Sequence, residues 1–549
     1  MSPVARDSVR GARYKGRMRL EQGVGEDRAP GEDDGPVVRV RTGGAVRGRY
    51  ETVRSGESGE SGESGASGGA AGERLAEDGA ARRIAVFRGI PYARPPVGAL
   101  RFMPPQPAEP WDGVRDAGAF GPTPPKVPYT PAFAALLSDP AIPGDDWLTV
   151  NVWTPDPSPA ARLPVMVWIH GGALTRGSSA VPVYDGAAFA RDGVVLVSLN
   201  YRLGVEGYGL FPDAPPNAGL RDQLAALTWI RDNIAAFGGD PDAVTVFGES
   251  AGAISIGALL AVPSARGLFH RAVLQSGAPE TVPWDDSRRM VRRMAGHLGT
   301  PATAAAFAEA DPVRLLEAQA RAGRRGSPLL GGPRFGIVVD GDLVPSEPLP
   351  ALLDDWAAAE VDLLLGWTSD EHRLWLAPTG AGDRIGRLGP LADAAVALRC
   401  GVGPRVPRGY RTARPAVPTG DRVGQLVTDH LLRRPLRRLA DSRATGAPAH
   451  VYEFAWPSGI PGLGACHALE LGFVFDILAV PEAAMLAGPD APQVLAETMH
   501  TAWTRFATSG DPGWPAWDAT HPVRVFGGEG PPVVHGLRDR ELEVWEAAG

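Results

Sequence analysis

The chain has 549 residues and a mass of 57.6 kDa, with 44% hydrophobic and 21% charged residues, which excludes a disordered or collagen-like protein. Its 55 Lys and Arg against 63 Asp and Glu give a formal charge of -8 without a sustained basic stripe, so nucleic acid is not expected as a partner. Neither a secretory signal nor a run of about 18 apolar residues is found, so we expect a cytoplasmic protein that does not contact a membrane.

The N-terminal region divides into a tail, a hairpin and an insertion. Residues 1–36 carry a basic stretch and then GEDRAPGEDDG, with too few apolar residues to fold alone, so we predict a disordered tail. From Val37 the alternation in VVRVRTGGAVRGRYETV predicts a hairpin that turns at Gly43-Gly44. A Gly/Ser/Glu repeat at residues 55–73 predicts a flexible insertion, after which RRIAVFRGIPYA resumes a strand.

The middle of the chain alternates apolar runs with amphipathic helices. LPVMVWIHGG and GVVLVSLNYR are β-rich runs without polar alternation, as in strands buried on both faces of a parallel sheet. A helix is predicted in NAGLRDQLAALTWIRDNIAAFGGD, with Asn217 as its cap and Gly238-Gly239 at its end. The strand AVTVFG, the helix AGAISIGALL and the strand RAVLQSG then continue the alternation.

The remainder of the chain extends the same architecture. Residues 280–360 are rich in helix patterns, and VDLLLGWTSDE and VYEFAW are further strand candidates. We see no internal repeat and no strong linker after Val37. The sequence therefore predicts a single α/β domain over residues 37–549, with a large, mostly parallel central sheet flanked by helices.

The pentapeptide GESAG at Gly248–Gly252 matches G-x-S-x-G between a buried strand and a helix of small residues. In that setting a sharp turn would expose Ser250 at the edge of the sheet, near the positive end of the following helix. Ser250 is therefore the predicted nucleophile.

Small residues also follow an upstream strand, in VWIHGGAL. They would let backbone N–H groups approach a substrate oxygen, as an oxyanion hole requires. The predicted donors are the N–H groups of Gly172, Ala173 and Ala251, the last of which follows the nucleophile. A base and an orienting acid should come later in the order Ser, Asp/Glu, His, but the residues alone do not choose among ten histidines.

Longer motifs resemble the type-B carboxylesterase and cholinesterase family, on its bacterial para-nitrobenzyl-esterase-like side. They are FRGIPYARPPVGALRF, DDWLTVNVWTP, NYRLGVEGYG, NIAAFGGDP and TVFGESAGAIS. The resemblance runs from about Val37 to the C-terminal WTRFATSGDP, nearly the whole body of the chain. It implies the α/β-hydrolase fold.

The same resemblance selects the remaining site residues. LLLGWTSDEHR implies that Glu371 is the acid, although the adjacent Asp370 could replace it, and CHALELGFVF implies that His467 is the base. The family also suggests supporting roles for Glu249, beside the nucleophile, and for Ser276 in LQSGAP.

Departures from the family narrow the expected substrate. Trp147 stands in DDWL where the family usually has a cysteine, so the disulfide of secreted members should be absent. Residues 116–145, where choline esterases place a stacking tryptophan, contain Tyr129 and Phe133 but no tryptophan, so a choline site is not expected. Leu174 replaces the phenylalanine that commonly follows the oxyanion glycines, which should alter the acyl pocket.

The two cysteines of the chain, Cys400 and Cys466, cannot form a disulfide framework, and neither CxxC nor a His/Cys cluster indicates a metal. We expect a carboxylic ester hydrolase that forms an acyl-enzyme on Ser250, uses water as the second nucleophile and needs neither a metal nor an organic cofactor. The expected ligand is a small-molecule ester, neutral and with a short or medium acyl chain. The sequence does not indicate an oligomeric state.

Two alternatives to this function remain open. The same triad could act on a carbamate, a lactone or an acyl-transfer acceptor, because it fixes the chemistry but not the leaving group. A non-catalytic interaction protein with the same fold is disfavoured, because Ser250, Glu371 and His467 are all present.

Overall fold

A computed structural model describes residues 35–41, 43–54, 81–323, 334–354, 360–443 and 446–546. Apart from residues 35 and 36, the predicted tail over residues 1–36 lies outside the described residues, and so does the predicted insertion at 55–73. The described residues form one compact unit.

Strands and helices alternate along much of this described part of the chain. The strands are β1 (Val37–Arg39), β2 (Ala45–Arg47), β3 (Arg49–Val53), β4 (Arg82–Pro91), β5 (Val114–Asp116), β6 (Thr149–Thr154), β7 (Leu163–Ile169), β8 (Val195–Leu199), β9 (Gly239–Glu249), β10 (Arg271–Gln275), β11 (Asp362–Thr368), β12 (Ala449–Phe454), β13 (Pro522–Phe526) and β14 (Val533–His535). The helices are α1 (Pro131–Ala134), α2 (Ala187–Arg191), α3 (Gly204–Tyr208), α4 (Ala218–Asn233), α5 (Ala251–Ala261), α6 (Trp284–Leu298), α7 (Ala304–Ala308), α8 (Pro312–Gly323), α9 (Pro348–Asp354), α10 (Arg373–Leu376), α11 (Ala381–Arg387), α12 (Pro390–Arg399), α13 (Arg405–Ala413), α14 (Thr419–Thr428), α15 (Arg434–Asp441), α16 (Leu471–Val474), α17 (Pro481–Ala487), α18 (Gln493–Ser509) and α19 (Asp539–Glu546).

One large sheet organises the fold. Within the described ranges it has eleven strands in the order β14-β13-β12-β11-β10-β9-β7-β8-β6-β4-β3. The strands from β13 to β8 in that order pair in parallel, and β14, β6, β4 and β3 join antiparallel at the two edges. The prediction of an α/β-hydrolase fold with a mostly parallel sheet is confirmed.

The central strands are buried on both faces, as their uninterrupted apolar runs predict. Along β7, Val165, Val167 and Ile169 pack into one hydrophobic cluster, whereas Met166 and Trp168 pack into another. Because neighbouring side chains of a strand point to opposite faces, the two clusters are the cores on the two sides of the sheet. Helix α5 contributes to the first cluster and α18 to the second, so both faces are covered by helices.

The local predictions hold with one correction. The predicted hairpin forms between β1 and β2, and α4 is followed by a 3-10 turn that ends at Gly238 with a φ of 85°. Asn217 does precede α4, but its side chain does not cap the helix. It has a φ of 61°, and its amide instead contacts the backbone of Val338 and the carboxylate of Asp340. This long-range contact displaces the predicted cap.

The sheet places the candidate site at one edge. The neighbouring parallel strands β11, β10, β9 and β7 all end at this edge. Ser250 and Ser276 follow β9 and β10 directly, whereas Glu371 and Gly172 come three residues after the ends of β11 and β7. The carboxyl ends of parallel strands are where ligands bind in open α/β sheets.

Other features of the chain bear on the sequence predictions. Neither of the cysteines, Cys400 and Cys466, is in a disulfide, and both are buried. In the described ranges no helix combines the length and the apolar character that a membrane span requires. The same ranges contain no cluster of three or more His, Cys, Asp or Glu suited to a metal ion. The expected cytoplasmic location stays a prediction.

Candidate active site

Ser250 is the single residue that connects the end of β9 to the start of α5. Its φ of 56° and ψ of -120° are rarely adopted by a residue that has a Cβ. Its N–H donates to the carbonyl oxygen of Gln275 (2.9 Å), and its own carbonyl accepts from the N–H of Ile254 (2.9 Å). These bonds to a neighbouring strand and to the following helix hold the strained turn, and the Ser250 side chain is only partly buried.

Both glycines of GESAG are required where the turn lies against the end of β7. A Cβ at Gly252 would collide with the carbonyl oxygen of Ile169, and one at Gly248 would lie 2.7 Å from the same oxygen. Two backbones therefore approach each other closely at this turn, and only glycine leaves the necessary space.

The loop after β7 turns sharply beside Ser250. Gly172, Ala173 and Leu174 have positive φ values of 107°, 55° and 57°. In the described part of the chain, the N–H groups of Gly172, Ala173 and Ala251 donate to no backbone carbonyl, and all three residues line the same cavity as Ser250. Three donors are therefore available to a substrate oxygen, as the sequence predicts for an oxyanion hole.

His170, at the start of this loop, is a structural residue. Its side chain is buried, its Nδ1 lies 2.8 Å from the carbonyl oxygen of Gly171, and its ring stacks on Tyr201 with centroids 4.5 Å apart. Burial, assisted by the charge of Lys126, lowers the pKa of His170 to about 3. The ring is therefore neutral and supports the loop by packing.

His467 and Glu371 are in direct contact. Nδ1 of His467 lies 2.5 Å from Oε2 of Glu371, and both side chains are buried. Oε1 of Glu371 accepts the N–H of Thr368 at 2.9 Å. Burial alone would raise the pKa of Glu371, but the charge and hydrogen bond of His467, together with the Thr368 N–H, lower it below its ordinary value. The group is therefore a carboxylate that can fix the orientation of the imidazole.

The alternative acid, Asp370, has other partners. Its Oδ2 accepts the N–H of Ala465 at 3.2 Å, and its Oδ1 lies 3.6 Å from Nε of Arg373. Asp370 therefore stabilises the loop that precedes His467, whereas the ring itself contacts Glu371.

The second nitrogen of His467 contacts Glu249. Nε2 lies 2.8 Å from Oε1 of this buried carboxylate, and Ser250 has no side-chain hydrogen bond to any described residue. Burial raises the pKa of Glu249 and the charge of Glu371 adds to this effect, while His467 opposes it. The structure thus brings Glu249, Glu371 and His467 together, and it brings Ser250 to the same cavity without bonding it to the imidazole.

A third carboxyl group, Glu470, is buried behind this cluster. Its Oε1 accepts from Nε2 of Gln275 at 3.3 Å, and its Oε2 has no hydrogen-bond partner among the described residues. Burial and the charges of Glu249 and Glu371 raise the pKa of Glu470 to about 8. Because the ordinary carboxyl value is far lower, we expect Glu470 to be neutral at pH 7.

A cavity of about 660 Å³ lies over these groups. Ser250, His467 and the loop after β7 line it, and its remaining wall is mainly apolar. Its aromatic lining, within the described residues, consists of Tyr129, Phe133, Tyr184, Phe335 and Trp375. A mainly apolar cavity with a few convergent polar groups is typical of a small-molecule site.

Sequence reasoning missed two neighbours of His467. Trp375 packs on the imidazole with ring centroids 4.6 Å apart, and Glu470 adds the third buried carboxyl group. The sequence signals were present, since Trp375 follows Glu371 by four residues and Glu470 stands in CHALELGFVF. Neither position predicted a contact with His467. A tryptophan or a glutamate in either segment is equally compatible with a helical turn or with a packed core elsewhere in the fold.

Comparisons with known proteins identify the family to which the chain belongs. A family model described as the carboxylesterase family matches residues 65–525. The chain is 38% identical over 455 residues to a para-nitrobenzyl esterase of Bacillus subtilis (strain 168), which covers 78% of this chain and 88% of that protein. It is 37% identical to a phenmedipham hydrolase of Pseudarthrobacter oxydans, with 84% of this chain and 94% of that protein covered. Among solved structures, a Geobacillus stearothermophilus carboxylesterase matches with a TM-score of 0.76 and 34% identity, covering 93% of this chain and 99% of that one.

Proposed function

The chain belongs to the carboxylesterase family and is a carboxylesterase, and from that premise we propose that Ser250, His467 and Glu371 form its catalytic triad. The observation that supports this assignment most is the 2.5 Å contact between His467 and Glu371, because it fixes a base in the same cavity as a strained serine. The small-molecule esters expected of the family suit a cavity of about 660 Å³.

The first half of the reaction acylates the serine. Ser250 Oγ attacks the carbonyl carbon of the ester while His467 Nε2 takes the hydroxyl proton, and the carbonyl π electrons move to the oxygen. The N–H groups of Gly172, Ala173 and Ala251 stabilise that oxyanion. The intermediate then collapses, the ester C–O bond breaks, and the imidazolium returns the proton to the leaving alcohol.

The second half of the reaction releases the acid. Water gives a proton to His467 Nε2 and attacks the acyl carbon, and the same N–H groups receive the new oxyanion. Collapse of this intermediate returns the proton to Ser250 Oγ and frees the carboxylic acid. Glu371 remains a carboxylate throughout and holds Nδ1–H in position.

Glu249 and Ser276 are positioning residues in this account. Because Glu249 occupies Nε2 in the free protein, the imidazole must leave that carboxylate before it can accept the proton of Ser250. Ser276, buried at the end of β10 in the same cavity, is proposed to support the ionised form of Glu371.

The substrates we propose are neutral esters with short or medium acyl chains. The mainly apolar wall of the cavity accommodates uncharged groups on both sides of the ester. The relatives are named after different substrates, para-nitrobenzyl esters and phenmedipham, so the family alone does not select the leaving group.

A chromogenic ester tests this function directly. On rapid mixing with a nitrophenyl ester, an acyl-enzyme route predicts a fast release of nitrophenol equal to the protein concentration, followed by slower steady turnover. Steady turnover without dependence on Ser250 would contradict the proposal.

A further inference from the structure

Arg176 lies in the loop that carries the proposed oxyanion donors. Its N–H donates to the carbonyl oxygen of Gly172 at 3.0 Å, and its own carbonyl oxygen occupies the space that a Cβ on Gly172 would need. The position of Arg176 relative to the oxyanion loop is therefore fixed by the backbone. Arg176 lines the same cavity as Ser250.

The guanidinium of Arg176 has few protein partners. Its Cζ lies 5.3 Å from the ring centroid of Tyr129, and its Nη1 donates to Thr175 Oγ1 at a long 3.4 Å. Its Nε is buried and has no hydrogen-bond partner, and no carboxylate of the described residues forms an ion pair with it. Because a guanidinium has five N–H donors, the donors of the two terminal nitrogens of Arg176 remain largely available, whereas its Nε–H is buried.

The other charged groups of the cavity are mostly neutralised. Glu249 pairs with His467 at 2.8 Å, and Glu280 pairs with Arg334 at 3.1 Å. Glu482, on α17, lines the cavity and forms no ion pair within the described residues. A substrate anion would therefore be attracted to Arg176 and repelled by Glu482.

We propose that Arg176 binds a carboxylate carried by the substrate at the end remote from the scissile ester. The enzyme then hydrolyses carboxylate-bearing esters in addition to neutral ones, and Arg176 is the residue that determines this specificity. A guanidinium matches a carboxylate with two parallel N–H donors, and the apolar wall strengthens such a pair relative to water. The inference rests on the proposed ester hydrolysis.

Matched ester pairs test this inference and locate the carboxylate. One series consists of nitrophenyl monoesters of dicarboxylic acids with about two to six methylenes, each paired with the methyl ester of its free acid group. The second series places the carboxylate on the alcohol side, as acetate esters of hydroxy acids and their methyl esters. For each pair the readout is the ratio of kcat/KM between the charged and the uncharged substrate.

The expected result concerns the variant Arg176→Met. In at least one series, the ratio of kcat/KM for the charged substrate to that for the uncharged one should be about tenfold or more lower in Arg176→Met than in the parent. The reason is that the variant loses a charge-assisted pair. Arg266→Gln removes the same charge at an exposed position beyond the far end of α5, about 16 Å of helix from Ser250, and should keep the parental ratio. An unchanged ratio for Arg176→Met in both series would overturn the proposal.

A measurement on the unaltered protein covers the case in which Arg176→Met does not fold. Trifluoromethyl ketones that end in a carboxylate or in a carboxamide should inhibit hydrolysis of a neutral ester differently, with the carboxylate binding about tenfold tighter at its best chain length. Equal or weaker inhibition by the carboxylate would overturn the inference. If neutral esters are not hydrolysed at all, the proposed function fails instead.

Discussion

Nε2 of His467 lies 2.8 Å from Oε1 of Glu249, the residue that immediately precedes Ser250. Nδ1 of the same ring contacts Glu371 at 2.5 Å, so the imidazole lies between two buried carboxylates. Burial alone would lower the pKa of His467, but the charges of Glu249 and Glu371 and the hydrogen bond to Glu371 outweigh it and raise the pKa well above its ordinary value. An imidazolium cannot accept a proton, so this pKa should set the low-pH limit of activity.

We expect Glu249→Gln to move the acid limb of the kcat/KM pH profile to lower pH. The substitution removes a negative charge that raises the pKa of His467, and the base works only in its neutral form. Glu280→Gln is the control, because Glu280 lines the same cavity but pairs with Arg334. An acid limb that stays in place or moves to higher pH in Glu249→Gln would show that Glu249 does not control the base.

The assignment of the acid predicts a clear difference between two neighbouring carboxylates. Glu371→Gln should lower kcat by about 10⁴-fold, because the imidazole loses the partner that holds Nδ1–H. Asp370→Asn should stay within about tenfold of the parent, since Asp370 contacts Ala465 and Arg373 instead. Steady-state kinetics on one neutral ester decide the matter, and the reverse order of effects would place the acid one residue earlier.

Glu470 should make stability depend on pH. Its pKa in the folded protein, about 8, lies above the ordinary carboxyl value, so the folded state holds this proton more tightly. The contribution of this proton to the free energy of unfolding is complete below about pH 4. It is lost as the pH rises towards 8, at no more than about 1.4 kcal/mol per pH unit. Glu470→Gln mimics the neutral form and should lose less unfolding free energy than the parent between pH 5 and pH 8.5 (about the span of this titration).

Denaturant unfolding at several pH values measures this difference. Glu497→Gln, an exposed carboxyl on α18, should follow the parent. Parallel pH curves for Glu470→Gln and the parent would show that the buried carboxyl does not hold its proton.

Local patterns predicted the framework of the fold and the turn at Ser250. The uninterrupted apolar run of β7 and the two glycines around Ser250 reflect constraints that act over a few residues. Such local constraints can be predicted from sequence patterns. The contact of His467 with Glu249 was not predictable, because it joins residues far apart in the chain and depends on side-chain direction. Asn217 does occupy the predicted cap position of α4, but the role of its side chain was not predictable for the same reason, since its amide binds a distant segment at Val338.

The pocket should discriminate against a quaternary ammonium. Tyr129 is one of the aromatic rings of the cavity, and the cation that lies beside it is already Arg176, at 5.3 Å from the ring centroid. A choline group would meet a like charge there, and Trp375, the tryptophan that lines the cavity within the described residues, already packs on His467. We therefore expect 3,3-dimethylbutyl butyrate, the uncharged analogue of the same shape, to have a higher kcat/KM than butyrylcholine.

Both butyrates should be compared at the same ionic strength, because screening changes the repulsion. If butyrylcholine is the better substrate by about tenfold, equivalent to about 1.4 kcal/mol, a cation site exists that the described residues do not reveal.

Covalent labelling of Ser250 tests the central claim most directly. An organophosphonate should add one phosphonyl group to the parent, located on Ser250 by peptide mass spectrometry, and abolish the nitrophenol burst. Ser250→Ala should remain folded, take up no label and lose about 10⁶-fold in kcat, because the members of a triad act as a unit. Label on another residue, or turnover in Ser250→Ala within about tenfold of the parent, would contradict a mechanism based on this serine.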